Sequence, residues 1–295
     1  MQIRRILIPL SGRFDPKSPE SLDVPALNTG LRLAQKADAH ADVLCITAKP
    51  TVADEKWSDW LPSYGARETI RWVAAESEAR RPHAKSAFDK VLASLETKPV
   101  LREAPGAGYS AKFLEHVGDI REGVGTFGRL SDLIVIASSK ARWDMPFRPI
   151  LEASLRRTAR PILVAPPDPA SSLGARIAIA WNDSVESARA LAASLDWLKA
   201  AASVVAISCR ENDTVSPSPH ALVDYLAWHG ITAEAVELNE SPRGAAPAIV
   251  KKALAAECDL IVIGAYIHTR AHSLLFGSMT EQVLSDPRMA ALVVP

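Results

Sequence analysis

Two hydrophobic patterns alternate along the chain. Short runs apolar at every position, such as Leu133-Ile134-Val135-Ile136, Ile177-Ala178-Ile179-Ala180 and Leu260-Ile261-Val262-Ile263, interrupt longer segments in which apolar residues recur every three to four positions. A strand apolar on every residue is buried on both faces, as central parallel strands are, whereas the longer period marks an amphipathic helix. In the second half this pattern predicts strands at 176–181, 203–208, 231–238, 259–264 and 291–294. A helix is predicted to start after Asp183, with Glu186 completing a capping box and a stripe of Ala188, Leu191, Ala192, Leu195 and Leu198. Further helices are predicted at about 218–229, ending at Gly230, at about 243–257 and at about 278–286, before Pro287. The βαβαβαβαβ order folds through right-handed crossovers into a doubly wound parallel sheet, whose ligands sit at the carboxyl ends of the strands near the switch point.

The pattern occurs twice. Arg5-Ile6-Leu7-Ile8-Pro9-Leu10 resembles Arg176-Ile177-Ala178-Ile179-Ala180-Trp181, Asp132–Ile136 is identical to Asp259–Ile263, and Leu163-Val164-Ala165-Pro166 resembles Leu292-Val293-Val294-Pro295. All three pairs keep their order, at offsets of 171, 127 and 129 residues. Two copies are therefore expected, at 1–168 and 174–295, joined by the Pro/Ser-rich stretch 166–172. The first copy is longer by about 44 residues, most of them around 50–95, where Trp57, Trp60 and Trp72 and an Ala/Glu/Arg-rich helical stretch lie.

The segment from Gly264 to Ser278 follows the Asp-Leu-Ile-Val-Ile strand and precedes a helix. It resembles the nucleotide loop of the universal stress protein family, G-x2-G-x9-G-[S/T]. The Trp181-Asn182-Asp183-Ser184 turn and the terminal Ala-Leu-Val-Val-Pro strand are also similar to that family's. The resemblance spans nearly the whole chain twice, as in a tandem universal stress protein. It implies two Rossmann-like, five-stranded α/β domains in a pseudo-two-fold pair, with the last strands, 161–165 and 291–294, near each other. It also implies an adenine nucleotide, such as ATP, held in the second copy by Asn182, Asp183, Gly264, Gly277 and Ser278, with Mg present only as the nucleotide's companion. The physics of the loop agrees, since Gly277-Ser278 opens a helix whose free N–H groups and dipole favour a phosphate, and a side chain at Gly264 would obstruct a ligand above the sheet. Ser278-x-x-Glu281 is equally a capping box, and Gly264 equally a tight turn. Two positions depart from the family. Its second loop glycine is Ile267, whose branched side chain would crowd a triphosphate and disfavour positive φ. Its adenosine-contacting Asp is Asn182, which carries no charge. In the first copy Gly277-Ser278 aligns with Arg148-Pro149, Gly264 with Ala137, and the first turn reads Leu10-Ser11-Gly12, so that site is read as degenerate with Arg148 as a surface residue.

Composition narrows the function classes. At 48 % hydrophobic and 23 % charged residues, with 34 Lys+Arg balancing 34 Asp+Glu, the chain reads as globular and gives no sign of a nucleic-acid partner. No apolar run approaches a membrane span, and the start, Met1–Ile8, lacks a signal-peptide core, so a cytoplasmic protein is expected. Cys45, Cys209 and Cys258 are scattered, consistent with reduced thiols. His268 and His272, four apart in a predicted loop without a carboxylate or cysteine nearby, do not make a metal site. Gly106-Ala107-Gly108 and Gly123-Val124-Gly125 read as turn or packing glycines, and Trp57 and Trp60, beside Pro62 and Tyr64, as a lid tucked on its own domain or a partner-binding patch. No nucleophile or general base is identified by any motif. The sequence is read as a non-catalytic, adenine-nucleotide-binding stress-response protein that signals to a protein partner, as a monomer with an internal pseudo-dimer or as a homodimer. A nucleotide-free interaction scaffold is the alternative, and a slow ATP hydrolase the third reading.

Overall fold

The computed structural model describes residues 3–13, 20–47, 65–101, 108–138, 147–167, 172–210, 218–265, 267–270, 273–276, 278–285 and 288–295. The first half runs β1 (Arg5–Leu10), α1 (Val24–Ala37), β2 (His40–Thr47), α2 (Gly65–Ser94), β3 (Ser110–Val117), α3 (Ile120–Gly128), β4 (Leu133–Ala137), α4 (Phe147–Arg157) and β5 (Ile162–Ala165). The second runs β6 (Arg176–Trp181), α5 (Val185–Ala200), β7 (Ser203–Arg210), α6 (Pro219–Trp228), β8 (Glu234–Asn239), α7 (Pro242–Ala255), β9 (Leu260–Gly264), β10 (Ile267–Arg270), β11 (Ser273–Phe276), α8 (Ser278–Ser285) and β12 (Ala290–Val294).

Ten strands form one sheet in the order β3-β2-β1-β4-β5-β12-β9-β6-β7-β8. Each half is parallel and repeats the same order. The two halves meet at β5 and β12, which pair antiparallel with Leu163 opposite Leu292. The last strands are thus hydrogen-bonded neighbours, as the family resemblance implies, and each removes the other's open edge. The burial of the repeated strand explains its composition. Leu133 and Val135 enter one core and Ile134 and Ile136 the other, and in β9 Leu260 and Val262 divide from Ile261 and Ile263 in the same way. One core holds residues of α1, α2, α5 and α6, the other residues of α3, α4, α7 and α8, and both run across the seam.

The repetition extends to hydrogen bonds. Asp132 Oδ2 accepts from the backbone N–H groups of Arg4 and Arg5, and Asp259 accepts from those of Gly174, Ala175 and Arg176. The aspartate that opens the repeated pentapeptide therefore pins the start of the neighbouring first strand in each half.

One predicted strand starts late. β8 begins at Glu234 rather than 231, because Ile231 belongs to the end of α6. Its N–H donates to Leu226 O and that of Gly230 to Ala227 O, with Gly230 at φ +73° and Ile231 buried. This is a Schellman termination, in which an apolar residue after the glycine packs back on the helix.

Candidate functional site

The second half has its switch point between β6 and β9. From β6 the sheet continues to β7 and β8 on one side and to β9 and β12 on the other. Asn182 and Asp183, which follow β6, lie at this carboxyl-end crevice and are exposed. Asp183 has φ +58°, and the aligned first-copy residue, Gly12, has φ +65°. The turn requires a left-handed residue, which Asp accepts more readily than most non-glycine residues. Asn182 Oδ1 accepts from Ser184 N at 3.3 Å, and Ser184 Oγ accepts from Ser187 N at 3.1 Å. The N-cap of α5 is consequently Ser184, not Asp183, and the residue three positions on is Ser187 rather than Glu186. Asp183 is committed to the turn, so the cap moves one residue along. On β7, in register with Trp181, the Ser208 hydroxyl is buried without a hydrogen-bond partner among the described residues.

Gly264 ends β9 beside this turn, and its reason differs from the sequence expectation. A Cβ there would stand 2.4 Å from the Glu186 carbonyl carbon and 2.6 Å from both Glu186 O and Ser187 N. The glycine admits the first turn of α5 against the strand, and neither a positive φ nor a ligand is needed to account for it. Between Gly264 and α8, where a loop is predicted, β10 and β11 form an antiparallel hairpin with Ile267 opposite Phe276. An extended residue in a ladder suits a β-branched side chain. Ser278 is the first residue of α8, which packs against α7, β9 and β12. Gly277 lies outside the described residues, as do His272, Gly106, Ala107 and the Trp57–Tyr64 segment.

In the first copy the corresponding turn is covered by the chain itself. Asp23 is buried and accepts from Ser11 N, Ser11 Oγ and Gly12 N, each at 2.8 Å. Burial pushes its carboxyl up to about 6, against the lowering effect of those hydrogen bonds. Helix α2, in the longer stretch of this copy, lies directly on the turn. A Cβ on Gly12 would be 2.7 Å from Arg80 Cβ and from Arg80 O. Ala137, at the Gly264 position, is buried. Arg148 Nε pairs with Glu152 at 2.9 Å along α4, in agreement with a surface role. The spacing of sequence signals could not reveal Asp23, because its partners are 11 and 12 residues upstream in no known motif.

A serine–histidine–aspartate arrangement also escaped the sequence, since Ser110, which opens β3, lies 70 residues beyond His40, which shares the start of β2 with Asp42. His40 Nδ1 lies 2.8 Å from Ser110 Oγ, and Nε2 lies 3.2 Å from Asp42 Oδ1, while Arg5 Nε donates to Asp42 Oδ2 at 2.6 Å. Burial opposes ionisation of Asp42, but His40 and Arg5 together hold its carboxyl below the usual carboxylate range. Ser110 is only 1 % exposed, and the group sits at the amino ends of β1, β2 and β3, opposite the crevice. Its evident work is to pin three strands in register. The Cys45 and Cys258 thiols are pushed up to about 11, chiefly by burial, and stay protonated at neutral pH. Gly123, in α3, is a packing glycine, where a Cβ would meet Ile46 Cδ1 at 2.8 Å. Among the described residues no helix is long and apolar enough to cross a membrane.

Solved structures share this architecture. A universal stress protein from Archaeoglobus fulgidus DSM 4304 superposes with a TM-score of 0.65 at 16% identity, covering 100% of this chain and 99% of that one. A putative universal stress protein from Pseudomonas aeruginosa UCBPP-PA14 gives 0.52 at 18% identity, covering 99% and 93%. A functionally unknown protein from Pseudomonas aeruginosa PAO1 gives 0.54 at 16% identity, covering 99% and 92%. No protein-family model matches the sequence, and no curated protein does. The chain thus has the fold of full-length universal stress protein structures, with both copies included.

Proposed function

We propose that the chain is a stress-response protein that binds one adenine nucleotide, of the ATP or AMP kind, in its second copy and passes that state to a protein partner without chemistry of its own. The observation that carries the reading is the asymmetry of the two crevices. Asp23 and the backbone of Arg80 close the first, whereas the turn of the second presents Asn182 and Asp183 to solvent at the switch point. Open α/β sheets bind ligands at that place. The nucleotide would rest against Asn182, Asp183 and Gly264, with Gly277 and Ser278 at the head of α8 toward its phosphates. The segment 264–278 is then the element through which a partner reads occupancy.

Calorimetric titration of ATP tests the reading. One site per chain is expected, abolished in Gly277→Arg and retained in Arg148→Ala. Two equivalent sites, or binding unaffected by Gly277→Arg, would overturn it. A nucleotide-free scaffold is the second reading. It is favoured by the hairpin that takes up Ile267 and by the helix packing that suffices to explain Gly264.

A further inference from the structure

A cavity of about 520 Å³ lies between the two copies, bounded by α1 on one side and by α5 and the segment leading into β6 on the other. Its volume falls within the range of small-molecule sites. Ile3 and Gly174, which correspond at the first-strand offset of 171, both line it, so each copy contributes the same stretch of chain. The apolar part of the wall comes from Ile3, Leu33 and the Trp197 ring. Gly174, at φ +82°, lays the backbone on that ring, since a Cβ there would be 3.0 Å from Trp197 Cε3. Arg32 and Lys36 stand one helical turn apart on α1, and neither has an ion-pair partner among the described residues. The wall's acidic residue, Asp196, is already engaged by an interaction of its own. Thr29, one turn before Arg32, adds a buried hydroxyl without a hydrogen-bond partner among the described residues.

We infer that this cavity binds an apolar molecule with a single anionic head group, a medium-chain carboxylate being the simplest member of the class. The chain would lie along Leu33 and Trp197, and the carboxylate would meet Arg32 and Lys36, neither of which is ion-paired among the described residues. A polyphosphate is disfavoured, because the two side-chain cations can offset one carboxylate beside a helix carboxyl terminus but not several phosphate charges, and the Lys36 and Ala200 ends of the wall offer carbonyl oxygens in place of the N–H donors a phosphate chain would need. The site is separate from the β6–β9 crevice and does not depend on the nucleotide reading.

The test titrates dodecanoate into the full chain by calorimetry. One site per chain with micromolar affinity is expected, with dodecan-1-ol at least tenfold weaker because it lacks the charge. Arg32→Ala/Lys36→Ala should lose at least tenfold for dodecanoate while keeping its urea midpoint, as both residues are exposed. Equal affinity for acid and alcohol, unchanged binding in the double variant, or no saturable binding below the micelle concentration would overturn the assignment. Displacement of dodecanoate by AMP would hand the cavity to the nucleotide and also overturn it. Sedimentation with phosphatidylglycerol vesicles in the absence of dodecanoate binding would assign the two cations to a membrane surface instead.

Discussion

Replacing Gly264 by alanine separates a structural glycine from a ligand-binding one. The added methyl would approach the backbone of Glu186 and Ser187 to 2.4–2.6 Å, where an ordinary carbon contact is about 3.5–4.0 Å. Neither contacting group can rotate away, because both belong to the first turn of α5. The helix must lift by about 1 Å from β9, which disturbs Ala190, Leu191 and Leu198 in the core beneath it. Overpacking of this kind costs about 1–3 kcal/mol, and contact with a helix peptide group rather than a movable side chain puts this case near the upper end. With an m-value of about 3 kcal/mol/M, a loss of 2–3 kcal/mol lowers the urea midpoint by roughly 0.7–1 M. Gly230→Ala is the control, because among the described residues nothing lies within 4 Å of its Cβ and only the φ of +73° opposes it, at about 1–2 kcal/mol. Both proteins would be unfolded in urea without nucleotide, followed by circular dichroism. A Gly264→Ala midpoint within 0.2 M of wild type would refute the packing argument and return the glycine to a ligand role.

Three further outcomes follow from the same geometry. The carboxyl of Asp23 is raised from 3.8 to about 6 in the folded state, so its contribution to stability is full below about pH 4 and is lost as pH rises toward 6, roughly 3 kcal/mol in all; Asp23→Asn should lack this slope when urea midpoints are compared at pH 4 and pH 7, and an identical slope in both proteins would contradict the assignment. Leu163→Ala and Leu292→Ala, which face each other across the seam, should each cost about 2–5 kcal/mol and together less than their sum, because each empties the other's contact; strict additivity in the double-mutant cycle would count against direct contact. Asp183→Gly should leave the urea midpoint unchanged or raise it, since relief of about 1–2 kcal/mol of left-handed strain outweighs the added chain entropy of about 0.5–1 kcal/mol, and a marked loss would mean that the Asp183 side chain is itself structural.

What the sequence disclosed, and what it withheld, follows the range of the interactions involved. The central strands were legible because burial on both faces leaves an unbroken apolar run, and Leu133–Ile136 and Leu260–Ile263 divide between two cores accordingly. The pairing of the last strands was legible only through the family resemblance, since nothing local in Ile162–Ala165 states which edge it meets. The α5 cap was misplaced by one residue because Asp183 and Ser184 are both good caps, and only the left-handed turn inherited from the Gly12 position decides between them. Gly264 announced that a side chain was unwelcome, but not that the obstacle is a helix 78 residues upstream in the chain. The pairing of β10 with β11 was hidden by its brevity, two four-residue strands inside an expected nucleotide loop. The His40–Asp42–Ser110 group and the cavity between α1 and α5 draw on residues from distant segments, which no spacing rule connects.

Native mass spectrometry of the freshly purified full chain tests the central claim most directly. Sprayed under gentle conditions, with and without added ATP, the protein is expected to carry a mass increment of one adenine nucleotide per chain, absent from Gly277→Arg and present in Arg148→Ala. A chain that never shows a nucleotide at saturating ATP, or one that takes up two with equal ease, would contradict the claim that the second copy alone keeps an open crevice for this ligand.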